Sequence, residues 1–325
     1  MAVPLIAALL LSGCATTIPT SMLAHYRPVQ NGVFIMPDGT TLPYRAWMPP
    51  DGHKPKAVVL ALHGMNDSRD AWEYPAPELA RAGIAVFSPD QAGFGDTATR
   101  GEWAGTATLV GDAGVMARRL RHRYPHTRLI VMGESMGAAV AMVAAAQPDP
   151  PPVDGYVIIS PAVWGRDEMN LFLRAGLWLF SHAVPGMEVT GAGFVHVKAS
   201  DNRQAIRRLS DDPLTLHATR WSAVAGLVNL MDAAQDAAPH MHAPALFMYG
   251  GHDELIPPRA TAWIWRVLPK QEREAFYPDG YHLLLRDLDR ITPTEDIIAW
   301  IERPNDPLPS GAHRAAAAWL AKQPK

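Results

Sequence analysis

The 325-residue sequence predicts an α/β protein: a mostly parallel central sheet of about eight strands, helices on both faces, and an inserted helical cap. Three observations carry that prediction. Short, continuously apolar runs alternate with segments of helical period; the alternation stops after Ser160-Pro161 and resumes near Ala245; and Asp38-Gly39 separates two apolar-rich runs early in the chain. Parallel strands covered on both faces read as unbroken apolar runs, whereas a strand with one wet face alternates.

Val33-Phe34-Ile35 and residues 42–47 flank Asp38-Gly39, a hairpin signal. Buried parallel strands follow at 57–62, 84–88, 129–132 and 156–159, with helical segments at 71–81, 106–124 and 135–147 between them. Residues 162–239 are rich in Leu, Trp and Met at helical spacing with no convincing strand, which predicts a helical cap laid over the sheet. The pattern resumes with a strand at 245–249, a helix at 261–268, a strand at 274–277 and a helix at 294–302. An Ala-rich helix over 313–322 reads as a surface helix with no assigned role. The expected organisation is a leader over 1–14, a linker over 15–30, a core made of 31–161 and 240–303, a cap over 162–239, and a tail over 304–325.

Composition bounds the function classes. At 48% hydrophobic and 19% charged residues the chain has ample material for a buried core, which excludes disorder. A net charge of −3 without Lys or Arg runs gives no footprint for nucleic acid. The single cysteine, Cys14, excludes intrachain disulfides and cysteine-based metal sites.

Gly133-Glu134-Ser135-Met136-Gly137 fits G-x-S-x-G, lying between an expected strand and an Ala-rich helix. A nucleophile on so tight a strand-to-helix turn needs small neighbours, here Gly133 and Gly137. A serine hydroxyl is a weak nucleophile, so it requires a base, and His282 follows the last expected strand on the same sheet edge. The loop after the preceding strand, Gly250-Gly251-His252-Asp253-Glu254, supplies a carboxylate to orient that histidine. Asp253 is preferred over Glu254 because it lies nearer the strand end. Two backbone N–H groups should receive the developing oxyanion, those of Met136, after the nucleophile, and of Met65, in the loop His63-Gly64-Met65 after the first long parallel strand.

The chain resembles the monoacylglycerol lipase and lysophospholipase branch of the α/β-hydrolase superfamily over residues 31 to 302. The likeness rests on His63-Gly64, Pro89-Asp90-Gln91-Ala92-Gly93-Phe94-Gly95, the serine pentapeptide, Ser160-Pro161-Ala162, Asp211-Asp212-Pro213-Leu214, Gly250-Gly251-His252-Asp253 and His282. Three positions depart from it: Ala92 where Arg is usual, Asp96 near a usual Ser, and Glu134 in place of a common His. The resemblance implies an α/β-hydrolase fold and cleavage of carboxylic esters through an acyl-enzyme, with no metal or organic cofactor. The missing Arg puts packing of the 89–96 loop in question.

Leu11-Ser12-Gly13-Cys14 closes a short apolar run and resembles a bacterial lipobox, in which Cys14 would carry lipid. No Lys or Arg precedes the run, which departs from the usual signal peptide. The expectation is an envelope protein anchored on the periplasmic side of the outer membrane, or a cytoplasmic one should the lipobox not operate. No later segment is apolar enough to span a bilayer.

Substrate choice should come from the cap. Residues 169–180 are apolar on nearly every face, so this helix is either buried in the core, the simpler reading, or is a greasy lid facing a membrane or acyl chain. A lipid-like ester, monoacylglycerol or lysophospholipid, is the expected substrate. Two other functions remain open: a peptidase of the proline iminopeptidase type, with Glu168 and Glu188 holding the substrate ammonium, and an inactive envelope lipoprotein acting as a binding module.

Overall fold

The computed structural model describes residues 30–190 and 197–324. The expected leader with Cys14, and the expected linker as far as residue 29, lie outside the described residues. Residue 30 already belongs to the first strand.

Strands β1 (Gln30–Ile35) and β2 (Thr41–Trp47) form the expected antiparallel hairpin. Its turn is closed by Met36 N–H donating to Thr40 O at 2.7 Å, with Gly39 at φ +86°, where only glycine is unstrained. Strands β3 (Ala57–Leu62), β4 (Ile84–Pro89), β5 (Arg128–Glu134) and β6 (Gly155–Ile159) then enter the sheet. Helices α1 (Pro75–Arg81), α2 (Thr106–Arg123) and α3 (Met136–Ala145) connect them. The insertion holds α4 (Leu171–Ala183), β7 (Glu188–Val189), α5 (Arg203–Asp211), β8 (Thr219–Arg220) and α6 (Trp221–Ala237). The chain ends with β9 (Ala245–Gly250), α7 (Pro258–Val267), β10 (Arg273–Tyr277), α8 (Ile291–Glu302) and α9 (Ala312–Leu320).

Eight strands form one sheet in the order β1-β2-β4-β3-β5-β6-β9-β10, antiparallel only at β1/β2 and β2/β4. The unbroken apolar runs have a simple cause. In β3, Val58, Leu60 and Leu62 point into the core under α2, α3 and α6, while Ala57, Val59 and Ala61 point into the core under α1 and α8. Successive side chains of a strand face opposite ways, so a strand wetted on neither face needs apolar residues throughout.

Four expectations change. The single helix expected over 71–81 is a 3-10 turn at Arg69–Trp72 followed by α1, because Pro75 has no N–H to continue a helix and suits its first turn. The insertion is not strand-free: Glu188–Val189 pairs with Thr219–Arg220 in a two-residue antiparallel ribbon. The C-terminal helix is not a bystander, since Trp319 stacks on Phe276 at 5.1 Å and meets Trp265 at 5.0 Å, covering the outer strands. Finally, α4 is not buried: Phe172 is 88% and Trp178 62% exposed, and only Leu177 is buried. No helix among the described residues is long and apolar enough to cross a membrane.

Candidate active site

Strand β5 delivers the chain to Ser135 with φ 54° and ψ −114°, and α3 begins at the next residue. The left-handed backbone turns the hydroxyl out of the sheet, leaving Ser135 partly exposed between buried neighbours. The flanking glycines answer to specific crowding. A Cβ on Gly137 would overlap the Leu62 carbonyl and lie 2.7 Å from His63 O, and one on Gly133 would overlap the Gly137 carbonyl. The turn is gripped through its own peptide as well: Ser135 N–H donates to Ile159 O and Ser135 O accepts from Ala162 N–H, both at 3.0 Å.

Asp253 and His282 come from loops that lock together. A Cβ on Gly250 would meet the Gly280 carbonyl at 2.5 Å, and His252 N–H donates to Gly280 O at 2.8 Å. The loops can approach so closely because glycine stands on both sides. His282 Nδ1 lies 2.8 Å from Asp253 Oδ2, and both side chains are buried. The other oxygen, Oδ1, accepts from Leu255 N–H at 2.8 Å and Ile256 N–H at 2.9 Å, which fixes the carboxylate plane. A proton on Nδ1 shared with this carboxylate leaves Nε2 as the free base. Burial disfavours the imidazolium, but the charge of Asp253, its hydrogen bond and the more distant Glu134 and Asp287 outweigh it, so the His282 pKa is raised above its ordinary value. The rival Glu254 is engaged elsewhere, accepting Lys198 N–H at 2.8 Å.

Among the described residues, no hydrogen bond joins Ser135 Oγ to His282 in this conformation. Glu134, the residue before Ser135, acts electrostatically on His282. Catalytic hydrogen bonds commonly tighten only when substrate is bound.

The loop after β3 passes beside the serine, since a Cβ on Gly64 would lie 4.0 Å from Ser135 Oγ. Neither Met65 N–H nor Met136 N–H has an acceptor among the described residues, which leaves both as donors for a bound oxyanion. His63 is fully buried and braces the loop. Its Nε2 accepts Gln91 N–H at 3.0 Å, so its Nδ1 donates to Gly64 O at 2.8 Å, and burial lowers its pKa, keeping the ring neutral.

Sequence reasoning missed Arg286. Its buried guanidinium pairs with Asp67 at the end of this loop and donates from Nε to Ala71 O at 3.1 Å. An Arg four residues after His282 carries no local signal, since its partner is over two hundred residues away. The 89–96 loop, in question because of Ala92, is held by another pair. Asp90 accepts Arg69 N–H and Arg69 Nη1 at 2.6 Å and Asp96 N–H at 2.8 Å, while Ala92 is buried in the core. Glu134 is buried and its pKa is pushed up to about 7 by that burial, against the pull of Arg286 and His282. No cluster that could hold a metal ion occurs among the described residues.

The chain is similar to known proteins. Rat monoglyceride lipase is 26% identical over 277 residues, which cover 81% of this chain and 88% of the relative. Human monoglyceride lipase is 25% identical over 279 residues, covering 82% and 88%. The solved structure of a soluble variant of Saccharomyces cerevisiae monoglyceride lipase with a substrate analog superposes with a TM-score of 0.72 at 18% identity, covering 88% of this chain and 98% of that one. Monoacylglycerol lipase from Paleococcus ferrophilus gives a TM-score of 0.67 at 20% identity, covering 80% and 98%. Residues 53–289 match the family described as serine aminopeptidase, S33. The chain belongs to that family and has the α/β-hydrolase fold.

Proposed function

We propose that the protein is a serine hydrolase that cleaves carboxylic esters of lipid-like substrates, monoacylglycerol or lysophospholipid, with Ser135 as nucleophile, His282 as base and Asp253 orienting the imidazole. The observations that carry this reading are the buried 2.8 Å contact of His282 Nδ1 with Asp253 and a serine held in a left-handed elbow. His282 Nε2 takes the Ser135 proton as Oγ attacks the ester carbonyl carbon. Met65 and Met136 N–H groups receive the oxyanion. Collapse breaks the ester bond, and His282 returns the proton to the departing alcohol oxygen. Water, activated by the same imidazole, then releases the fatty acid and restores Ser135.

The lipid substrate is supported by the curated relatives named monoglyceride lipases and by the exposed apolar face of α4. That face, Leu171, Phe172, Trp178 and Leu179, would rest in a lipid surface. The same proposal places the protein in a bacterial envelope, tethered at Cys14 to the periplasmic side of the outer membrane, on the strength of Leu11-Ser12-Gly13-Cys14. Peptidase activity is less well supported, since Glu168, one of the two carboxylates it would need, is paired with Arg259.

Labelling by a fluorophosphonate probe, abolished in Ser135→Ala, tests the nucleophile and eliminates a purely binding role. A panel comparing monoacylglycerols and lysophospholipids with a proline anilide tests the substrate. Turnover of the anilide alone would overturn the ester reading.

A further inference from the structure

Gly64 to Asp67 form a tight turn, closed by Asp67 N–H donating to Gly64 O at 3.3 Å. Met65 is the first corner residue and Asn66 the second, with Asn66 at φ 65°. A positive φ at the second corner is the pattern of a type II turn, and asparagine is one of the few residues other than glycine that accept it readily. The orientation of Met65 N–H therefore depends on how this turn is held.

It is held by the insertion. Asn66 Nδ2 donates to Thr219 Oγ1 at 2.7 Å, and Asn66 O accepts Leu216 N–H at 2.8 Å. Thr219 lies in β8, whose partner β7 follows directly from α4. The link to α4 is stiff: Trp221 N–H donates to Met187 O at 3.1 Å, Ser222 N–H donates to Pro185 O at 3.0 Å, and Phe180 stacks on Trp221 at 4.9 Å. A short chain of contacts thus runs from the exposed apolar helix to the residue beside the oxyanion donor.

We propose that Asn66 is a positioning residue: its amide, bound to Thr219, ties the direction of the Met65 N–H to the seating of the cap. The proposal rests on the reading of Met65 as an oxyanion donor. A residue that served only to turn the chain would need its φ but not its amide. Outright loss of an oxyanion donor costs on the order of 10²-fold or more in rate. Loosening one donor, while the other stays in place, should cost about tenfold.

The test compares Asn66→Gly, which keeps the positive φ and removes the amide, with Thr219→Val, which removes only the hydroxyl. Each should lower kcat on a soluble nitrophenyl ester by about tenfold, with KM essentially unchanged. Affinity for an alkylboronic acid, which mimics the tetrahedral intermediate, should fall by the same factor, and the double variant should be no worse than either single one. Wild-type kcat in both variants, unchanged boronate affinity, or losses that multiply in the double variant would each overturn the proposal. Ser135→Ala assayed in parallel separates the two levels. Turnover near the wild-type rate there refutes the assignment of the nucleophile, whereas a Ser135→Ala that has lost nearly all activity beside fully active Asn66→Gly and Thr219→Val refutes only the role of Asn66.

Discussion

Ser135 and Ser160 stand at the ends of neighbouring parallel strands, both with left-handed backbones, φ 54° and φ 43°. The segment around Ser160 grips the Ser135 peptide on both sides, through Ile159 O and Ala162 N–H, while Ser160 N–H donates to Met248 O at 2.9 Å. Two strained residues on adjacent strands are held by ladder hydrogen bonds that over-determine them.

The Ser160 hydroxyl is fully buried and has no partner among the described residues, so it is the backbone and not the side chain that the elbow uses. Ser160→Ala should change stability by less than about 1 kcal/mol, because an orphaned hydroxyl contributes no hydrogen bond. Ser160→Val should cost about 2 kcal/mol or more, since a β-branched residue resists a positive φ and the site is fully buried. Urea unfolding of both variants checks the contrast. Equal losses in the two would mean that the hydroxyl matters and the backbone argument is wrong.

Asp253→Asn should lower kcat by on the order of 10⁴-fold, because an amide cannot hold the imidazole in the proper tautomer. Glu254→Gln should remain near wild type, as Glu254 faces Lys198 N–H. The pH profile adds a signed test. Reaction needs Nε2 unprotonated, and the raised His282 pKa places the acid limb of kcat/KM above the ordinary histidine value of 6.5. Removing the Asp253 charge should move that limb down. A limb that stays in place would detach Asp253 from the base.

What could be read beforehand follows a physical divide. The elbow, the Asp253 loop and the His282 loop were legible because each is a local pattern: glycines where backbones nearly touch, and chemistry at a strand end. The exposure of α4 was not. A helix apolar all round is normally buried, and only its place on the insertion, packed on α6 where Phe180 stacks on Trp221, leaves Phe172 and Trp178 in water. Arg286 and the Asn66 link to Thr219 were equally hidden, since a hydrogen bond across 153 residues leaves no trace in spacing. The break before Pro75 was written in the sequence as a proline within the expected helix.

Glu134→Gln should show a pH-dependent gain in stability. The folded-state pKa of about 7 exceeds the ordinary 4.5, so the native state prefers the protonated acid. That preference stabilises the fold fully below the lower value and is lost as pH rises through the higher one. Relative to the glutamine variant, the wild type should lose stability between pH 4.5 and 7, by at most about 3 kcal/mol. Thermal unfolding at pH 4 and pH 8 measures the difference, and a difference of the opposite sign would show that Arg286 outweighs burial.

Two glycines on neighbouring helices should respond oppositely to alanine. Gly137→Ala drives a Cβ into the Leu62 and His63 carbonyls, backbone atoms that cannot step aside, and should abolish activity and cost several kcal/mol, roughly 3 or more. Gly111→Ala, in α2, places its Cβ where nothing lies within 4 Å and should stabilise by about 0.5–1 kcal/mol. Melting temperatures of the two variants decide it. A stable, active Gly137→Ala would mean that the elbow can open.

The apolar face of α4 predicts a separation between chemistry and surface binding. Phe172 and Trp178 touch little of the protein, so replacing both with serine should leave turnover of a soluble short-chain ester unchanged. Burying an aromatic side chain in lipid contributes about 2 kcal/mol, so losing two should weaken binding to phospholipid vesicles by at least tenfold. Sedimentation of the protein lacking residues 1–14 with vesicles reads this without interference from Cys14. Hydrolysis of ester lipid presented in those vesicles should fall in step with binding. Were vesicle turnover to hold while binding fell, substrate would be reaching Ser135 from solution, and the apolar face would need another occupant.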